Sequence, residues 1–160
     1  MIQLKIEKET DLYNRYAPEK DRINPEVFQY LTSYCTISEY KNHIHDTIQI
    51  FCNEPIDEEK LKQTIINDAK KKQNDFDCQI RINQKRALQE LIFGIILSIV
   101  GVALAIYLDK VLLAIISLFG SMSIREAITI LKKVNPDIKR LKKQLEPLCD
   151  FELEVINNEN

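Results

Sequence analysis

Tryptophan is absent from this 160-residue chain, glycine occurs three times and histidine twice. The scarcity of glycine is informative because Gly94, Gly101 and Gly120 all lie in the most apolar part of the sequence. No glycine-rich loop is therefore left to cradle a phosphate. The four cysteines (Cys35, Cys52, Cys78, Cys149) are far apart and show no CxxC spacing. That pattern favours reduced thiols over a disulfide framework or a zinc site. His43 and His45 are two apart on a predicted strand and share a face, but no carboxylate–cysteine cluster completes a ligand set around them. Nucleophile-elbow and HExxH patterns are missing as well. The expectation is a protein without catalytic residues, metal or cofactor. No charged segment followed by a short apolar run opens the sequence, so no secretory signal is expected.

What the sequence does have is an apolar stretch from Ala87 to Ile124, broken only by Asp109-Lys110. Ala87–Leu108 carries Glu90 as its sole charge and rises about 33 Å as a helix, enough for a hydrocarbon core of about 30 Å. Val111–Ile124 rises only about 21 Å, so the second span reaches full length only by continuing to Leu131 through Arg125 and Glu126. Net charge is −2, distributed as −5 over residues 1–60, +4 over 70–86, +5 over 125–143 and −5 over 144–160. Basic flanks on both sides predict a transmembrane hairpin with both flanks cytoplasmic and the turn outside. A buried hairpin in a water-soluble protein would need more covering chain than is present.

The rest of the chain reads as short elements. Ile2, Leu4 and Ile6 alternate with polar residues as a first strand. Asn24-Pro25 opens a short helix with Val27, Leu31 and Tyr34 on one face. His43–Cys52 reads as a second strand, ended by Pro55. Asp57 to about Lys72 reads as a helix with Leu61, Ile65, Ile66 and Ala69 as its stripe and Glu58–Lys62 as a supporting pair. Phe76, Cys78, Ile80 and Ile82 alternate as a third strand, and Phe151, Leu153 and Val155 as a fourth. Between hairpin and last strand, Arg125–Glu146 reads as a helix broken near Asn135-Pro136. The expected fold is α+β. Residues 1–86 and 125–160 form one ferredoxin-like four-stranded cytosolic domain, into which the hairpin (87–124; helices about 87–108 and 111–131) is inserted.

Four groups of residues are candidates for function. Small residues line one face of each membrane helix: Gly94, Ser98, Gly101 and Ala105 on the first, Ala114, Ser117 and Ser121 on the second. They serve either close helix packing or a narrow aqueous path in an oligomer. Glu90, Arg125 and Glu126 lie near the inner mouth, where Arg125 reaching toward the cytoplasm would meet Glu90, or where each would simply snorkel to the interface. Ile124, Ala127, Leu131, Val134, Ile138, Leu141, Leu145 and Leu148 form a heptad-like seam, suited to packing on the sheet or to an oligomer contact. Lys132, Lys133, Lys139, Arg140, Lys142 and Lys143 form a basic face for anionic lipid or for a phosphorylated or nucleotide ligand. The outward sheet face, expected to hold Lys5, Arg81, Glu7, Asp77, Glu152 and Glu154 with Phe51 as its only aromatic, is poorly suited to single-stranded nucleic acid.

This layout resembles the small two-transmembrane effectors of bacterial anti-phage defence, including the Hailong-type effector. The likeness is one of architecture across the whole chain: the α+β part, the hairpin at 87–124 and the return to Ile156. It implies a homo-oligomer in the bacterial inner membrane whose helices form or gate a pore under control of a nucleotide or oligonucleotide bound to the cytosolic part. The alternatives are a membrane-anchored scaffold or accessory protein that binds a protein partner, and a subunit of a membrane enzyme without its own active site.

Overall fold

Three short strands, β1 (Ile2–Lys5), β2 (Thr47–Cys52) and β3 (Glu152–Asn157), pair in the order β1-β2-β3, both pairs parallel. They belong to a computed structural model that describes residues 2–16, 22–39, 47–107 and 109–157. His43, His45, the first part of the second predicted strand and Leu108 lie outside the described residues. The chain divides into two compact units: Met1–Asn74 with Leu141–Asn160, and Asp75–Arg140.

In the sheet unit, parallel pairing follows from the long connections between strands, because a tight hairpin cannot join parallel neighbours. The register aligns Ile2, Ile48 and Leu153 in one row and Leu4, Ile50 and Val155 in the next. Ile2, Ile48, Ile50, Cys52 and Leu153 are buried. On the opposite face Gln3 donates to Gln49 at 3.3 Å and Gln49 to Glu154 at 2.8 Å, a polar row across all three strands. Helix α1 (Pro25–Glu39) starts as its sequence dictates. The Asn24 side chain accepts from the Glu26 N–H and donates to the Asp11 carbonyl, both at 3.0 Å, with Pro25 in the first helical position. Leu31 and Cys35, one turn apart, are buried among its described side chains; Tyr34, expected beside Leu31, is exposed and packs at 5.1 Å against Tyr30 with the rings tilted by 54°. Burial raises the Tyr13 hydroxyl above its ordinary pKa, with Glu9 and Asp57 adding to the shift.

The expected third strand is helical. Helix α2 runs from Glu58 to Leu104 and contains Phe76–Asn83, so among the described residues the sheet has three strands, both pairs parallel, in place of the expected four-stranded ferredoxin-like sheet. The physical reason is a second periodicity in the same residues. Leu61, Ile65, Ala69, Phe76, Ile80, Asn83, Ala87, Gly94 and Gly101 recur at spacings of three, four or seven, and all are buried or half-buried. With no glycine or proline between Pro55 and Gly94, nothing stops the helix. Arg81 and Asp77, expected on the open sheet face, are on α2 instead, and Glu7 lies beyond the end of β1. Lys62, expected beside Glu58, places its ammonium 5.9 Å from the Phe151 ring centre.

In the second unit, α2 ends at Leu104 and a turn over Ala105–Tyr107 leads toward α3 (Lys110–Thr129). The first predicted membrane helix thus stops short of 108. The second begins at Lys110 and remains α-helical to Thr129. The predicted break at Asn135-Pro136 takes the form of a π-helical turn over Ile130–Val134, followed by α4 (Asn135–Lys143). Of the heptad-like seam, Ala127, Leu145 and Leu148 are buried and Ile124 and Ile138 half-buried, whereas Leu131, Val134 and Leu141 are exposed and the π-turn places Ile130 and Asn135 inside instead.

Candidate functional site in the helical hairpin

The hairpin is built around a close approach of α2 and α3 at two glycines, Gly94 and Gly120. A Cβ placed on Gly94 would lie 2.7 Å from Ile124 Cγ1 and 2.8 Å from the Gly120 carbonyl oxygen. One placed on Gly120 would lie 3.1 Å from Ser98 Oγ and 3.2 Å from the Gly94 carbonyl oxygen. The two backbones can meet here because neither residue has a side chain, the arrangement that small residues permit between apolar helices. Gly120 was not among the small residues singled out by spacing, since Ala114, Ser117 and Ser121 suggested a different stripe on α3. At Gly101 the fit is looser, with Ile116 Cγ2 at 3.3 Å.

Above this crossing the helices leave a groove of about 350 Å³, lined by Ser98, Gly101, Val102, Ala105, Leu113, Ser117, Ser121 and Ile124. The predicted small residues other than Gly94 and Ala114 therefore do come together. Two hydroxyls are satisfied within their own helices. Ser98 donates to the Gly94 carbonyl and Ser121 to the Leu118 carbonyl, each at 2.8 Å. Such internal bonds let a serine sit in an apolar medium without a water or protein partner.

At the other end of the crossing, Arg86 donates to Glu126 at 3.4 Å. The expected pair was Glu90 with Arg125; the structure joins residues four positions away on α2 and one on α3. Ala87, Leu91, Ala127 and Ile130 form an apolar cluster in the same unit. This pairing also revises the apparent mismatch of span lengths. Ala87–Leu104 rises about 27 Å and Lys110–Arg125 about 24 Å, so both helices cover a similar height above the ion pair. The second apolar segment matches the first in height without Glu126 and Leu131.

Most of the hairpin's apolar surface is not covered by the protein. Of the most apolar 18-residue stretch in each helix, 17% is buried in α2 and 11% in the helix starting at Lys110. Both are long and apolar enough to cross a membrane. Large side chains such as Phe93, Ile99, Val102, Ile106, Leu118 and Phe119 are exposed. Among the basic residues, Lys132 and Lys133 lie in the π-turn and Lys139, Arg140, Lys142 and Lys143 on α4.

The sheet unit contains a polar cleft of about 280 Å³, lined by Asn14, Arg15, Tyr16, Asn24, Pro25 and Glu26, for which the sequence held no motif. Arg15 lies 3.9 Å from Asp11, and both ends of the Asn24 amide are engaged in capping, so the cleft's polar groups are partly committed. Among the described residues no three His, Cys, Asp or Glu side chains could hold a metal ion. Comparison with protein-family models, curated proteins and solved structures finds no match to the chain.

Proposed function

We propose that this protein is an oligomeric, two-pass effector of a bacterial inner membrane, with both chain ends in the cytoplasm and no enzymatic activity of its own. Its sheet unit senses a ligand, of which a nucleotide or oligonucleotide signal is the leading candidate, and controls the hairpin. The hairpin then permeabilises the membrane, in keeping with the likeness to small anti-phage membrane effectors. The observation that carries the membrane part is the uncovered apolar surface of α2 and α3, bracketed by basic residues on both sides. In water that surface would be unfavourable at about 25 cal/mol per Å², whereas lipid tails remove the penalty. Glu90 and the Arg125–Glu126 step lie at the cytoplasmic end of the crossing, and Ser98, Gly101, Ser117 and Ser121 line the groove that a conducting oligomer would use. Lys132 and Lys133, with the basic residues of α4, would meet anionic lipid.

One observation favours a second reading, a membrane-anchored scaffold or accessory protein that binds a protein partner. Gly94 and Gly120 are consumed by packing within the hairpin, and Ser98 and Ser121 bond their own backbone. A dry anchor has the same properties. The deciding experiment is ion flux from liposomes holding the purified full chain, with and without added cyclic oligonucleotides. The effector reading expects ligand-dependent flux that Ser117→Leu or Gly101→Leu reduces at least tenfold. No flux under any ligand, with insertion intact, would leave the anchor.

A further inference from the structure

The π-turn at Ile130–Val134 inserts one residue between two helical segments, and what it buries is unexpected. Asn135 is only 4% exposed, its N–H bonds the Ile130 carbonyl across the widened turn, and its Oδ1 accepts no hydrogen bond among the described residues. Burying an amide oxygen without a donor is unfavourable. On the outside of the same turn, Leu131 and Val134 are exposed although apolar. A plain α-helix would exchange these roles, turning Val134 inward and Asn135 outward. Pro136 opposes that exchange, because its ring would clash with the carbonyl four residues back, at Lys132, and its nitrogen cannot donate. Each register therefore satisfies one demand and violates another.

We propose that Ile130–Val134 is a one-residue register switch: an observed state with Asn135 inside, held by Pro136, and a second with Val134 inside. The two differ by a rotation of about 100° of the helical residues that follow the turn within the hairpin unit, since each helical residue turns the chain by that angle. Lys139 and Arg140 would move with it. π-Turns inside α-helices frequently mark functional positions. The switch belongs to the hairpin unit and stands whether or not the hairpin conducts.

Two arms test it on the full chain in lipid nanodiscs. In the first, Val134→Cys reports its exposure through the rate of maleimide labelling, read by peptide mass. Adding Pro136→Ala removes the clash and is expected to slow labelling at least tenfold as position 134 turns inward. An unchanged rate, with Cys35 and Cys52 still protected, would overturn the proposal. In the second arm, Asn135→Leu removes the unpaired acceptor and keeps proline. Amide hydrogen exchange over 130–135 is expected to slow at least tenfold, since the second register becomes rarer. If exchange there is unaffected, the turn has a single register and the proposal fails, even where the Pro136→Ala protein does not fold.

Discussion

Arg86 and Glu126 meet at 3.4 Å across the two helices of the hairpin, and both side chains are about half exposed or more. The pair closes the apolar part of both helices at one level. A half-exposed pair contributes at most about 1 kcal/mol. Charge reversal at either residue (R86E or E126R) is expected to lower stability in detergent by about that amount, and the double reversal to restore it. Arg125→Gln and Glu90→Gln should leave stability within about 0.5 kcal/mol of the original. If the double reversal is no better than either single change, Arg86 and Glu126 are not partners.

Gly94 is the least replaceable of the three glycines of the hairpin. A methyl group there meets both a side chain and a backbone oxygen below 3 Å, and backbone cannot step aside cheaply. Gly94→Ala should destabilise the helix pair by about 1–3 kcal/mol in an SDS-titration unfolding experiment, the usual range for overpacking. Gly101→Ala meets only the Ile116 and Leu113 side chains, which can adjust, and should cost well under half as much.

The cysteines report the helical state of 76–83 through their reactivity. Cys78 is exposed on α2, while Cys35 and Cys52 are buried. Cys149 is intermediate, and burial raises its thiol above the ordinary value, with Glu146 in the same direction and Lys70 opposing. At pH 8, iodoacetamide should modify Cys78 first and Cys149 more slowly, with Cys35 and Cys52 reacting only on unfolding. A raised thiol means the folded state holds its proton more tightly. The resulting stability is complete below the ordinary thiol range and is lost as pH rises through it toward the folded value, which Cys149→Ala should abolish. Early modification of Cys35 would contradict the packing of α1.

Asn24 joins the loop to α1 through both ends of its amide. Asn24→Ala should lower the melting temperature of the sheet unit by the equivalent of about 1–2 kcal/mol, as for other caps. Asn24→Asp keeps the acceptor for the Glu26 N–H and should recover roughly half of that loss.

Much of the sheet unit was legible in the sequence because its signals were local and unopposed. The alternation at Ile2–Ile6 and Phe151–Val155 had no competing period, and Asn24-Pro25 marked its helix start unambiguously. Phe76–Asn83 misled because Phe76 and Ile80, four apart, share one face in a strand and in a helix alike. Only the uninterrupted face running from Leu61 to Gly101 decides between them. In the hairpin, length and flanking charge were readable, but the contacts that order it were not. Glycine spacing on α2 gave no way to choose Gly120 over Ala114 or Ser117 as its partner. The seam holds at Ala127, Leu145 and Leu148 and departs from its count at Leu131, Val134 and Leu141, because a one-residue insertion at the π-turn leaves no mark in a heptad count. Proline at 136 signalled a disturbance and not its form.

The central claim is that α2 and α3 cross a membrane with both basic flanks on the cytoplasmic side. Single cysteines at Asp109 and at Lys85, placed in a chain with its native cysteines replaced by alanine, test this in intact bacterial cells with a membrane-impermeant maleimide. The account predicts that Asp109→Cys is labelled from outside and Lys85→Cys only after the inner membrane is opened. Labelling of both positions only after opening, with the protein washed free by carbonate, would contradict it.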